Sequence, residues 1–143
     1  MSEPSKPRII IDCDPGHDDA VAIILAQQSA EVLGITTVSG NAPLDHVSRN
    51  ALAITELIGL AVPVHAGAAH PLSGAAHHAP QVHGVTGLGG TNLPTPVGAL
   101  ASEDAVGYLL SATQESAPCH LVAIGPLSNV ALALQRDPTL AER

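Results

Sequence analysis

The chain has 143 residues, of which 45% are hydrophobic and 13% charged, and it carries a formal net charge of −8 with only five Lys and Arg. This length suits one globular domain, whereas the acidic balance excludes the basic clusters that nucleic acids and anionic membrane surfaces require. With one Tyr, no Phe and no Trp, the chain must build its core from aliphatic side chains and cannot stack nucleobases on aromatic rings of its own.

The first predicted elements are a strand and a helix. A polar tail at residues 1–7, which we expect to be disordered, precedes residues 8–11, where Arg8 is followed by a continuous β-branched apolar run of three Ile. Such a run predicts a buried parallel strand, and the Pro-Gly pair at residues 15–16 ends it. Residues 18–28 carry apolar side chains at helical spacing, with acidic residues in the favourable first turn.

Strands and helices continue to alternate downstream. In chain order, the pattern predicts a strand at 32–38, a helix at 44–58, a strand at 62–66, a helix at 102–115 with Ser102 as its N-cap, a strand at 120–124, and helices at 127–135 and from about 137. Residues 67–98 are rich in Gly, Pro and His and predict a long loop, which is typical of functional or disordered segments. The alternation predicts an α/β fold with an open, mostly parallel, Rossmann-like sheet and flanking helices.

Three polar segments follow predicted strands. They are the acidic cluster at residues 12–19, Ser39-Gly40-Asn41, and the turn at Ile124-Gly125. Ligands bind beyond the carboxyl ends of the strands in parallel sheets, so we expect one shared site at this edge.

The acidic cluster contains Asp12, Asp14, Asp18 and Asp19 within eight residues. Two such charges about 5 Å apart repel by roughly 3 kcal/mol at an effective dielectric near 20. Singly, these residues would be interpreted as a polar strand end or as helix N-terminal acids; together they predict a divalent metal, with hard oxygen ligands favouring Ca²⁺ or Mg²⁺ over zinc. The spacing does not fit an EF-hand, because the loop Gly comes one position early and the bidentate Glu is missing.

Four motifs resemble, in order, those of the inosine–uridine nucleoside hydrolase family. They are DCDPGHDDA at residues 12–20, VSGN at 38–41, VHGVTG at 82–87 and VAIGPLSNVA at 122–131. The resemblance implies hydrolysis of the N-glycosidic bond of ribonucleosides to ribose and free base, in nucleoside salvage. It also implies that residues 8–143 are the N-terminal part of a longer hydrolase domain, with the sheet incomplete at the C-terminus and a dimer or tetramer formed at full length.

The resemblance also implies a Ca²⁺ ion and its ligands. Asp14 would bind the ion and act as general base on the attacking water, and Asp19 would chelate the ion through both carboxylate oxygens. Ile124 would contribute its backbone carbonyl, which explains how an apolar residue can fill a ligand position.

Four further residues match family positions around the substrate. By the resemblance, Asp18 and Asn41 would hydrogen-bond the ribose hydroxyls and His83 would lie near the substrate. Asp12 would support the acidic loop without touching the ion. The substrate would be a small-molecule ribonucleoside, with neither nucleic acid nor membrane as a partner.

Other interpretations account for parts of the pattern. A haloacid-dehalogenase-like phosphatase also has an Asp-x-Asp pair after its first strand, but it needs a Thr where Gly16 stands. A non-catalytic remnant that retains Ca²⁺ or ribose binding would fit a shortened domain. His70, His77, His78 and His83 could form a zinc cluster, although their irregular spacing favours solvated loop histidines. Two cysteines give no disulfide framework and predict a reducing, cytoplasmic setting.

Overall fold

The structure is a computed structural model that describes residues 5–114 and 117–142. Its elements, in chain order, are β1 (Arg8–Cys13), α1 (His17–Ser29), β2 (Glu31–Thr37), α2 (Leu44–Leu57), β3 (Val64–Ala66), α3 (Pro80–His83), α4 (Ala105–Ala112), β4 (His120–Ala123), α5 (Ser128–Arg136) and a 3₁₀ helix (Pro138–Glu142). The strands form a four-stranded parallel sheet in the order β3-β2-β1-β4. This arrangement confirms the predicted α/β class.

The central strand β1 supplies core residues to both faces of the sheet. Ile9 and Ile11 pack on one face with side chains of α1 and α2, while Ile10 packs on the other with side chains of α4 and α5. This division follows from the alternation of side chains along a strand. Helices therefore cover both faces, which explains why the middle of β1, residues 9–11, is continuously apolar.

The helix predicted from Ser102 begins later than expected. Its N-cap is Asp104, whose Oδ1 accepts a hydrogen bond from the backbone amide of Gly107 at 2.8 Å. The Ser102 hydroxyl instead lies 2.8 Å from His65 Nδ1 on β3. The prediction of Ser102 as the N-cap was wrong. Ser102 and Asp104 are both of residue types that favour this position, and the Ser102 hydroxyl contacts His65 on β3 instead. The predicted helix end at Glu115 lies outside the described residues.

The long loop and the tail differ in detail from their predictions. A single helical turn, α3, interrupts the loop at residues 67–98 and has Pro80 at its start, where a missing amide costs nothing. Residues 1–4 of the tail lie outside the described part of the chain, and the carbonyl of Pro7 accepts a hydrogen bond from Glu31 at 2.9 Å. Among the described residues, no helix is both long and apolar enough to cross a membrane.

His65 is a buried titratable residue in the sheet. It is 8% exposed, and its ring stacks on Tyr108 with the centroids 4.0 Å apart. Among the described residues, Nε2 has no hydrogen-bond partner. Burial lowers the pKa of His65 below its usual 6.5, against the opposing charge of Asp104.

We expect the stability that depends on neutral His65 to be lost as the pH falls below about 6.5, because the unfolded chain then binds a proton that the folded chain excludes. His65→Gln removes this titration, so the difference in unfolding free energy between wild type and variant should shrink between pH 7.5 and pH 5.5. Urea denaturation at both pH values measures it. His120→Gln, at an exposed position of β4, is the control, and an equal pH dependence in His65→Gln and wild type would contradict the prediction.

Candidate active site

The acidic cluster lies where β1 passes into α1. Asp14 follows the strand and is 6% exposed, and Asp19 lies in the first turn of the helix and is 3% exposed. The helix begins after Gly16, whose backbone amide donates to Asp19 Oδ2 at 3.0 Å. This contact satisfies one free amide of the helix N-terminus, so Asp19 both caps α1 and faces the site.

Asn41 connects the two carboxylates from the loop after β2. Its backbone amide donates to Asp14 Oδ2 at 2.6 Å, and its side-chain Nδ2 donates to the Asp14 carbonyl at 3.0 Å. Nδ2 also lies 3.4 Å from Asp19 Oδ2. The structure therefore brings Asp14, Asp19 and Asn41 together, as the positions at the strand ends predict.

Two glycines allow the strand ends to close around Asp14. A methyl group on Gly40 would overlap Asp14 Oδ2 and lie 2.8 Å from its Cγ. A methyl group on Gly125 would lie 3.0 Å from Asp14 Oδ1. Gly40 therefore leaves room for the Asp14 carboxylate, and Gly125 leaves room for both Asp14 and Val38, whose Cγ1 would lie 2.9 Å from the methyl group.

Ile124 reaches the same edge of the sheet at the end of β4. Its backbone amide donates to the carbonyl of Asp12 at 2.8 Å, and the following amide, of Gly125, donates to the same oxygen at 3.2 Å. These two hydrogen bonds extend the pairing of β1 with β4 into the loop. The main chain of Ile124 is thus held beside the acidic segment, where the resemblance places a backbone ligand.

Burial and mutual repulsion raise the pKa values of the acids. Burial raises the pKa of Asp14 to about 6, with a further contribution from the charge of Asp19, although the amide of Asn41 favours the ionised form. The pKa of Asp19 is also raised by burial and by the charge of Asp18, against the hydrogen bond from Gly16. Buried acids with raised pKa values are typical of functional sites.

Asp12 is fully buried and lies behind the other acids. Its Oδ1 accepts hydrogen bonds from Thr36 Oγ1 at 2.6 Å and from Asn129 Nδ2 at 2.8 Å. Burial raises its pKa, while these two hydrogen bonds lower it. The position is consistent with the supporting role predicted for Asp12.

His83 and Asp18 lie at the margin of the cluster. Gly16 packs closely against both His83 and Asn41. A methyl group added to Gly16 would lie 2.6 Å from His83 Nδ1 and 2.7 Å from Asn41 Nδ2. The His83 ring stacks on His17 with centroids 5.6 Å apart, and His17 Nε2 lies 3.1 Å from the Gly89 carbonyl. Asp18 is exposed in the first turn of α1.

Two buried asparagines at the site were missed by the sequence analysis. Asn50 on α2 donates from Nδ2 to the carbonyls of Pro15 at 3.0 Å and Thr86 at 2.7 Å, and so ties the loop that follows His83 to the acidic loop. Asn129 lies within a motif quoted above but received no role. The sequence signal for Asn50 is weak. Asn favours caps and turns over helix interiors, but a single Asn within a helix is not rare enough to indicate a function.

The donor set suits a hard cation. Among the described residues, no three His, Cys, Asp or Glu side chains lie close enough to hold a metal by themselves. Among these described residues, Asp19 Oδ1 is buried and has no hydrogen-bond partner, and the charges of Asp14 and Asp19 repel each other. Calcium accepts backbone carbonyls as well as carboxylates, so two buried carboxylates beside the main chain of Ile124 have the donor chemistry of a hard-cation site.

Fold and site together define a parallel α/β protein with an oxygen-rich, acidic binding site at the carboxyl edge of its sheet. The sequence profile described as inosine-uridine preferring nucleoside hydrolase matches residues 9–143. The chain therefore belongs to this family, and the predicted resemblance is confirmed.

Relatives with known names or structures support the assignment. The chain is 47% identical to the pyrimidine-specific ribonucleoside hydrolase RihA of Shewanella woodyi, over 92% of this chain and 44% of the relative. It is 40% identical to probable uridine nucleosidase 2 of Oryza sativa subsp. japonica, over 98% of this chain and 43% of the relative. The structure matches a purine-preferring ribonucleoside hydrolase from Gardnerella vaginalis with a TM-score of 0.86 at 32% identity, over 93% of this chain and 45% of that one. The chain thus spans less than half the length of these relatives.

Proposed function

We propose that this chain forms the calcium- and ribose-binding part of a ribonucleoside hydrolase, which cleaves the N-glycosidic bond to give ribose and free base. Family membership and the names of the relatives support this reaction class. The observation that carries the proposal is the pairing of two buried carboxylates, Asp14 and Asp19, bridged by Asn41 at the carboxyl edge of the sheet.

Asp14 has the properties of a general base. Its Oδ2 is held by the Asn41 amide, which leaves Oδ1 on the side of Gly125 to accept a proton from water. In the metal-free protein burial raises the pKa of Asp14 to about 6, so the carboxylate is mostly ionised at neutral pH and available to bind the ion and to take that proton. Cleavage of the glycosidic bond passes through an oxocarbenium-like state, which nearby carboxylates stabilise.

The other residues orient ion and substrate. Asp14, Asp19 and the carbonyl of Ile124 would hold Ca²⁺, which when bound would lower the pKa of water and offer ligand positions to the ribose diol. Asp18, which is exposed, would accept hydrogen bonds from ribose hydroxyls. Asn41 uses its backbone amide and both hydrogens of Nδ2 on Asp14 and Asp19, so its contact with ribose would come through its side-chain oxygen, which accepts hydrogen bonds.

Ribose release from inosine and uridine tests the reaction, measured with a reducing-sugar assay in the presence of Ca²⁺. Release of phosphate from an aryl phosphate, without release of ribose, would favour the phosphatase alternative. Calorimetric binding of Ca²⁺ and ribose without turnover would identify this chain as a binding remnant. Absence of both binding and turnover would refute the proposal for this chain.

Calcium affinity should depend on pH. Because burial raises the pKa of Asp14 to about 6, the metal-free protein holds a proton there below that pH, and Ca²⁺ must displace it. We expect the apparent affinity to be about tenfold lower at pH 5 than at pH 7.5, since one proton is displaced over about one pH unit below the pKa. Calorimetric titration at the two pH values measures the change, and a pH-independent affinity would contradict it.

The cytoplasmic compartment and the dimer or tetramer expected at full length stay predictions. We propose a reducing, cytoplasmic setting, which is supported by free cysteines at Cys13, where the side chain is buried, and at Cys119. Burial and the surrounding acids raise the pKa of the Cys13 thiol, so it is suited to packing and not to reactivity.

A further inference from the structure

Asn129 is a fully buried polar residue in the first turn of α5. Its exposed fraction is 0%, so its side-chain amide has no access to solvent. A buried amide is costly unless its donors and its acceptor are paired. The partners of Asn129 therefore show what the residue is placed to hold.

Those partners come from the ends of the other three strands. Nδ2 donates to Asp12 Oδ1 in β1 at 2.8 Å and to the Thr37 carbonyl at the end of β2 at 3.0 Å. Oδ1 accepts from the backbone amide of Ala68, two residues beyond β3, at 2.8 Å. Since α5 follows β4, one side chain joins the carboxyl ends of all four strands.

The packing around this amide leaves it no alternative position. A methyl group on Gly67 would overlap Oδ1 of Asn129 and lie 2.5 Å from its Nδ2. Both amide hydrogens and the amide oxygen are occupied by the contacts described above. The side chain is thus fixed by its hydrogen bonds and by the bare backbone against which it packs.

The contact with Asp12 extends to the carboxylate site. The carbonyl of Asp12 accepts the amides of Ile124 and Gly125, at 2.8 and 3.2 Å. Gly125 in turn packs against the backbone and carboxylate of Asp14. A displacement of Asp12 would therefore move both Asp14 and the main chain of Ile124.

We infer that Asn129 is a positioning residue, which ties the four strand ends together so that Asp14, Asp19 and the Ile124 carbonyl converge on one cation. This inference rests on the proposed calcium site, and it assigns Asn129 no contact with ion or substrate. It gives a physical reason for the Asn within the motif at residues 122–131, a residue to which the proposed reaction assigns no role.

Two variants test the inference. Asn129→Ala removes all three hydrogen bonds. Asn129→Asp keeps the shape of the side chain and the acceptor for Ala68, but it removes the two amide hydrogens that are donated to Asp12 and Thr37. We expect Ca²⁺ affinity, measured by calorimetry, to fall at least tenfold in both. Amide hydrogen exchange of the metal-free chain should accelerate at least tenfold at Ile124 and Gly125 in both variants, and at Ala68 only in Asn129→Ala.

The control is Asn92→Ala, which removes an exposed asparagine of the long loop and should change neither measurement. Unchanged calcium affinity and unchanged exchange at Ile124 would overturn the inference. Exchange that accelerates equally within α2 would also overturn it, because Asn129 would then support the fold in general. If the wild-type chain binds no Ca²⁺, the proposed metal site fails, and selective exchange at Ile124 and Gly125 still decides whether Asn129 holds the strand ends.

Discussion

Asp14→Ala is expected to abolish hydrolysis, with a loss of at least about 10³-fold, because it removes the proposed general base and metal ligand. Calcium affinity should fall at least about tenfold, since one of the carboxylates proposed to hold the ion is lost. The metal-free fold should survive, because removal of a buried carboxylate with a raised pKa relieves its repulsion with Asp19. Ribose release and calorimetric titration measure the two losses.

Asp45→Ala provides the matched control. Asp45 is an exposed acid in the first turn of α2 and is not part of the acidic cluster. Its replacement by Ala changes the net charge by the same amount as Asp14→Ala. We expect calcium affinity and turnover close to wild type in this variant. Turnover by Asp14→Ala at the wild-type rate would remove the proposed mechanism.

Gly40→Ala should disable the site without removing any polar group. The new methyl group would overlap Asp14 Oδ2 and crowd Pro126 Cδ at 2.8 Å, so the carboxylate or the loop must move. We expect calcium affinity to fall at least about tenfold and the free energy of unfolding to fall by about 1–3 kcal/mol, as for other overpacked sites. Calorimetry and urea denaturation measure these changes.

Gly98→Ala is the control for this change. Among the described residues, a methyl group at Gly98 meets only Glu56 Oε1, at 2.9 Å, and the Glu56 carboxylate accepts the amides of Val97 and Gly98 and takes no part in the acidic cluster. It should leave calcium affinity unchanged. Wild-type affinity in Gly40→Ala would show that the Asp14 carboxylate does not bind the ion in the position described here.

The sequence was sufficient to predict the sheet and the meeting of three of its strand ends. The β-branched run that follows Arg8 and the alternation of strands with helices imply parallel order, and parallel order implies a shared carboxyl edge. The positions of Asp14, Asp19 and Asn41 at one edge follow from that argument. Their roles toward ion and ribose stay predictions from the family resemblance.

The contacts that hold the site could not be predicted in the same way. Asn129 and Asp12 are 117 positions apart, and no local periodicity indicates that a side chain in α5 bonds one in β1. Asn50 likewise bonds carbonyls 35 and 36 positions away. Ser102 and Asp104 both have side chains that are suited to an N-cap. Only the contact of Ser102 with β3 shows that Asp104 is the residue that caps the helix. Such choices depend on tertiary contacts, which single-sequence patterns do not contain.

The long sequence separation between Asp12 and Asn129 has a kinetic consequence. Closing a loop of this size is slow compared with forming a helix or a local turn, so the bond between these residues should be among the last to form. During synthesis, the acidic segment leaves the ribosome long before α5 does, so Asp12 gains its hydrogen bond from Asn129 only when that helix docks. The calcium binding proposed above would then be a late event, and it would stabilise the folded chain by mass action.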